Sequence, residues 1–134
     1  MSERDFATPL WPRLAALLGA ILMALGGILA LVHPAMLASP HDAMNGAVHV
    51  YAGYTASRNL VISALLFAML LAGARASLGS LMVLVGLTQI ADAFIDCFEG
   101  RWPIVPGVLV LGVLFLAAAA RLSGHPFWKR AAWA

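Results

Sequence analysis

Gln89, Asp92, Asp96 and Glu99 recur at steps of three, four and three inside "LVGLTQIADAFIDCFEGR", residues 84–101. Positions three and four apart share a helix face, so the spacing predicts one polar stripe along an otherwise apolar segment. Half of the chain's six acidic residues sit on it. A partner follows from counting. Arg58 lies 17 residues before Arg75, and Asp92 lies 17 after it. With a tight turn near Arg75, two antiparallel arms of about 25 Å each, at 1.5 Å per residue, bring Arg58 and Asp92 to the same level. Two carboxylates with an arginine between them do not share one pKa. An acid and a base in one pocket are what general acid–base catalysis requires.

The expected catalytic group is therefore Asp92 and Asp96 as the acid–base pair, with Arg58 tuning and orienting them. Tyr54 and Asn59 are expected to position a water or a polar substrate group, and Gln89, Tyr51 and His49 are further candidates for substrate binding. Tyr51, Tyr54 and Arg58 fall at steps of three and four and share a face. Asn59 is adjacent to that face, and His49 lies on another unless the helix breaks. Glu99, beside "EGRWP", is expected to be solvated. The inventory suits opening an epoxide, hydrating a bond or moving a double bond.

These residues must be positioned by helices, and composition says in which solvent. The chain has 134 residues, enough for one domain, with 63% hydrophobic and 10% charged residues, against roughly 25% charged in a soluble domain. Four segments reach the ~20 apolar residues that cross about 30 Å of hydrocarbon: about 13–32, 46–73, 78–98 and 104–122. The expected fold is all-α, an integral membrane four-helix bundle forming a single domain, with residues 123–134 as an interfacial tail. The first span is too long for a signal-peptide core, and "MSERDFATPLWPR" lacks a short basic start, so that span is read as retained. A carboxylate near a bilayer centre costs at least about 2.5 kcal/mol. The stripe therefore has to face the bundle interior, water or a cation, and the substrate of such a site would be a lipophilic small molecule.

Lys and Arg favour cytoplasmic segments. Arg4, Arg13, Arg75, Arg121, Lys129 and Arg130 fall on one side and Arg101 on the other, which predicts cytoplasmic termini. The outer connection before Arg58 contains "SPHDAMNG", where Ser39 would cap a short helix beginning at Pro40. That helix would bring His41 and Asp42 over the mouth of the pocket. Trp11, Trp102, Trp128 and Trp133 fall at span ends or in the tail, where amphipathic rings prefer the headgroup layer. Small residues in spans 1 and 4, among them Gly19, Gly26, Gly27, Gly107 and Gly112, predict close helix packing. The single Cys97 excludes an internal disulfide and paired-thiol redox chemistry, and with it quinone-type reductases. A net charge of +2 gives no argument for nucleic acid.

Several likenesses bear on function. The residue types resemble the Asp–Arg–Asp site, with Tyr and Asn holding a water, of limonene-epoxide-hydrolase-like enzymes, whose fold is soluble and unrelated. Asp92-x-x-x-Asp96 resembles the aspartate pairs by which intramembrane prenyltransferases hold magnesium diphosphate. Those enzymes carry two such motifs and this chain one, so neither a metal nor a cofactor is expected; a single magnesium on Asp92, Asp96 and waters stays geometrically open. Small four-span exporters have this length and span number, but their key acid lies in the first span, where this chain has none. Four spans in about 130 residues, with "SRNL" at the head of span 2 and "QIADAFID" in span 3, resemble the small DoxX-like bacterial membrane proteins. That resemblance implies a multi-pass protein of the bacterial inner membrane and carries no shared activity. Three functions stay open at this point. They are an enzyme acting on a lipophilic molecule, a proton-coupled transporter working as a homodimer, and an assembly or stabilising subunit whose polar stripe docks another membrane protein; apart from these, the Arg58–Asp92 pair could be structural only.

Overall fold

The computed structural model describes residues 10–36, 38 and 43–133. The chain is all-helical: α1 is Leu10–Val32, α2 is Gly46–Ala72, α3 is Arg75–Phe98 and α4 is Val105–Ser123. Short 3-10 turns follow at Pro34–Met36 and Arg130–Trp133. All four long helices are of a length and composition that can cross a membrane. The helix proposed to begin at Pro40, with Ser39, His41 and Asp42, lies outside the described residues, as do Arg4 and the acidic start of the chain.

Local chemistry accounts for the boundaries. Asn45 caps α2 by accepting from the Ala47 and Val48 backbone N–H groups at 3.0 and 3.2 Å, which answers two of the donors a helix start leaves open. This cap is why α2 begins at Gly46 and carries the tyrosines, Arg58 and Asn59 on one continuous helix. At its other end Gly73 adopts a left-handed conformation, and Ala74 N–H reaches back to the Met69 carbonyl at 3.1 Å. That closure reverses the chain at once and starts α3 two residues later.

The helices pack as two hairpins. α1 lies along α2 and α3 along α4, α1 also touches α4, and α2 and α3 have little contact. In lipid, packing of this kind depends on close backbone approach. At the α3–α4 crossing a side chain on Gly86 would meet the Gly112 carbonyl at 2.9 Å, and one on Gly112 would meet the Gly86 carbonyl at 3.0 Å. The α1–α2 crossing is similar at Gly27, which faces the Ala56 carbonyl and Leu60. A buried hydrogen bond from the Ser63 hydroxyl to the Ala20 carbonyl, 2.7 Å, adds to that pair.

The core is off-centre. Phe115, fully buried, fills the space over Gly19. Around it sit Ala16, Leu66, Met82, Val85 and Ala118, which come from the N-terminal halves of α1 and α3 and the C-terminal halves of α2 and α4. That end is closed. The opposite end holds the polar residues.

Candidate functional site

Arg58 and Asp92 meet as the spacing around the turn predicts. Arg58 Nη2 lies 3.0 Å from Asp92 Oδ2 and Nη1 lies 3.4 Å from Oδ1, a two-pronged contact across the α2–α3 seam. Parallel N–H···O bonds of this type fix orientation as well as adding attraction. The pair is partly exposed, with 42% of the Arg58 side chain and 30% of the Asp92 side chain accessible.

Asp96 takes a different guanidinium. The expected arrangement, two aspartates around Arg58, is replaced by two separate pairs. Asp96 is one turn further along α3, about 6 Å along the axis at 1.5 Å per residue. It pairs with Arg101, Nη1 to Oδ1 at 3.3 Å. The reason is the end of α3. Gly100 has a φ of 70°, a left-handed conformation that glycine adopts without a Cβ clash. Arg101 N–H then donates to the Asp96 carbonyl at 2.8 Å. The chain folds back over the helix end and returns the Arg101 side chain to the carboxylate five residues earlier. Asp96 is only 8% exposed, and its partner Arg101 is the functional candidate that sequence reasoning passed over. The signal was present: an Asp, then Gly four residues on and Arg five on, is the spacing of a helix end that closes on itself.

Both pairs border one cavity of about 640 Å³, within the ~300–1,000 Å³ range of small-molecule sites. Gln89, Asp92 and Asp96 line it from α3, and Tyr51, Arg58 and Asn59 from α2. Val48, Ala52, Ile95, Ile104 and Val108 supply apolar wall, and Pro34 and Ala38 reach it from the α1–α2 connection. The site is thus half polar and half greasy, and it occupies the gap that the weak α2–α3 packing leaves.

The remaining candidates divide. Tyr54 and His49 are exposed and do not line the cavity. Tyr54 keeps to the flank of the α2 face, whose lining residues Val48, Tyr51, Ala52, Thr55, Arg58 and Asn59 centre on Thr55. Thr55, four after Tyr51 and three before Arg58, is the hydroxyl that helical spacing places there in place of Tyr54. Glu99 is exposed at the end of α3 and outside the lining. Asn59 is half-buried, and its Oδ1 has no hydrogen-bond partner. Among the described residues, no group of three or more His, Cys, Asp or Glu converges to hold a metal ion.

No protein-family model, curated protein or solved structure matches this chain. The class that fold and site define is therefore a small bundle of four membrane-compatible helices with an ionic cavity at one end.

Proposed function

We propose that this chain is a multi-pass membrane enzyme of the bacterial inner membrane, with cytoplasmic termini and an outward-opening acid–base site for a lipophilic small molecule. Insertion is supported by the outer surfaces of the helices. α1 alone presents Leu14, Leu18, Ile21, Leu25 and Ile28, an apolar face far larger than a water-soluble monomer exposes. Trp11, Trp128 and Trp133 are exposed at the closed end and Trp102 at the open end, as headgroup-level rings would be. With the termini inside, the cavity opens outward.

The observation that carries the chemistry is the presence of two arginine-held carboxylates, four residues apart on one helix, in the wall of one partly apolar cavity. Arg58 holds both oxygens of Asp92, while Arg101 holds one oxygen of Asp96. In epoxide opening, one carboxylate takes a proton from water as the water oxygen bonds to a ring carbon and the ring oxygen's bond to that carbon breaks. The alkoxide oxygen so formed, held by arginine N–H groups, then takes that proton from the carboxyl group. The sum is epoxide plus water to diol, and both carboxylates end ionised as they began. A double-bond shift uses the same relay, a proton removed from one carbon and returned to another.

The test is conversion of a lipophilic epoxide, such as farnesyl epoxide, by the protein in nanodiscs, followed as gain of the mass of water. Conversion that disappears in a folded Asp92→Asn variant supports the enzyme. Proton flux driven by the same compound in proteoliposomes, with no chemical change, would replace it with a transporter.

A further inference from the structure

The cavity wall is balanced in charge, and we infer from it that the substrate is an uncharged amphiphile whose polar end offers a hydrogen-bond acceptor, such as an ester, ether or epoxide oxygen. This rests on the acid–base site proposed above and names the class of molecule that it takes.

The charges come first. Among the described lining residues, the ionisable side chains of fixed sign are Arg58, Arg101, Asp92 and Asp96, and they are matched one to one. A ligand carrying a carboxylate or an ammonium group would leave one charge in excess within a cleft walled by apolar helices. An unpaired charge removed from water is strongly unfavourable. It would otherwise have to break one of the two pairs, exposing the partner left behind. A neutral head disturbs neither.

Hydrogen-bonding capacity then sets the kind of neutral head. A guanidinium has five N–H donors and no acceptor. Arg58 gives one from each terminal nitrogen to Asp92, which occupies both carboxylate oxygens. Arg101 meets Asp96 through Nη1. Both arginines therefore keep further N–H groups while lining the cavity, and Gln89, which also lines it, carries an amide with two more. An acceptor oxygen on the ligand uses these donors without disturbing either ion pair. The apolar remainder of the wall, from Val48 and Ala52 across to Ile104 and Val108, accommodates a hydrocarbon body.

A matched series with one isoprenoid body separates the parts of this inference: methyl farnesoate, farnesoate, farnesylamine and the plain hydrocarbon farnesane. Binding is measured by native mass spectrometry on the protein in phosphatidylcholine nanodiscs, with empty nanodiscs correcting for partition into lipid. Methyl farnesoate should bind about tenfold or more tightly than either charged relative, which would each bury an unmatched charge. It should also exceed farnesane, which offers no acceptor. Charge variants must then shift the preference. Asp96→Asn leaves a surplus positive charge and should improve farnesoate relative to the ester; Arg101→Gln leaves a surplus negative one and should improve farnesylamine. A gained affinity cannot come from misfolding.

Tightest binding of farnesoate or farnesylamine by the unaltered protein overturns the inference and leaves acid–base chemistry standing. Equal binding of farnesane removes the acceptor requirement and overturns it as well, as does failure of the whole series to bind. Selective binding of the ester by a protein that converts no epoxide would instead uphold the ligand class and sink the enzyme.

Discussion

The two ends of this bundle are built on opposite principles. At the closed end all four helices converge on Phe115, and two clefts there are of about 10 Å³ each. Arg75, the cation of the α2–α3 turn, spends its Nε–H on the Leu122 carbonyl at 2.8 Å, an acceptor exposed by the end of α4. At the open end α2 and α3 stand apart around about 640 Å³, and an ion pair bridges the seam between them. The comparison teaches a division of labour. Tight apolar packing at one end holds two hairpins together, so the other end can keep polar groups in the wall of a cavity. The Arg58–Asp92 pair belongs to both tasks, since it ties α2 to α3 and lines the cavity.

The strongest way to break this division is at the open end. Asp92→Asn is expected to lower turnover of an epoxide about 10²- to 10⁴-fold, the usual range for loss of a general acid or base. Its cost in stability should be only about 1 kcal/mol, because a partly exposed ion pair contributes little. Turnover assays beside SDS-denaturation curves in mixed micelles read both quantities. A fall in stability as large as the fall in turnover would make the pair structural.

The mirror experiment is Phe115→Ala. Emptying this buried ring should cost about 3–5 kcal/mol in the same denaturation measurement, with ligand affinity of the still-folded fraction unchanged. Weakened binding at constant fold would show that the two ends are coupled. Gly112→Ala sits between them, since its new methyl group meets the Gly86 carbonyl at 3.0 Å and the Gln89 Cβ at 3.3 Å. Overpacking of this kind costs about 1–3 kcal/mol, and here it should also disturb the cavity through Gln89, lowering stability and affinity together.

The smallest expected effect distinguishes two tyrosines. Tyr51→Phe takes the hydroxyl from a residue that lines the cavity and should weaken methyl farnesoate binding by about 1 kcal/mol, as for one hydrogen bond. Tyr54→Phe, on the flank of the helix, should leave affinity unchanged. The reverse result would mean that the lining face of α2 is turned from its place here.

Much of this was legible in the sequence. The four helices fall where uninterrupted apolar runs of sufficient length lie, bounded by Asn45, Gly73, Gly100 and Gly124, and the observed ends differ from the expected ones by three residues at most. The Arg58–Asp92 contact was legible because a tight turn converts sequence distance into height. Arg101 was not. It was counted only as a basic residue in an outer connection, and its return to Asp96 depends on the conformation of one glycine. Tyr54 misled for a different reason. Steps of three and four place it on the Arg58 face, but a face spans a wide arc, and the cavity takes the part of it centred on Thr55.

What the amino-acid sequence determined by itself was therefore periodic and local: helix extents, the carboxylate stripe, and the level at which α2 and α3 meet across their turn. Only the tertiary structure decided that α2 and α3 would part, and which guanidinium each aspartate would take. Periodicity fixes the direction of a side chain around its own axis, whereas the gap between two axes is set by where Gly27, Gly86 and Gly112 allow other backbones to approach. Those approaches involve helices far apart in the chain, so no spacing within a single segment records them.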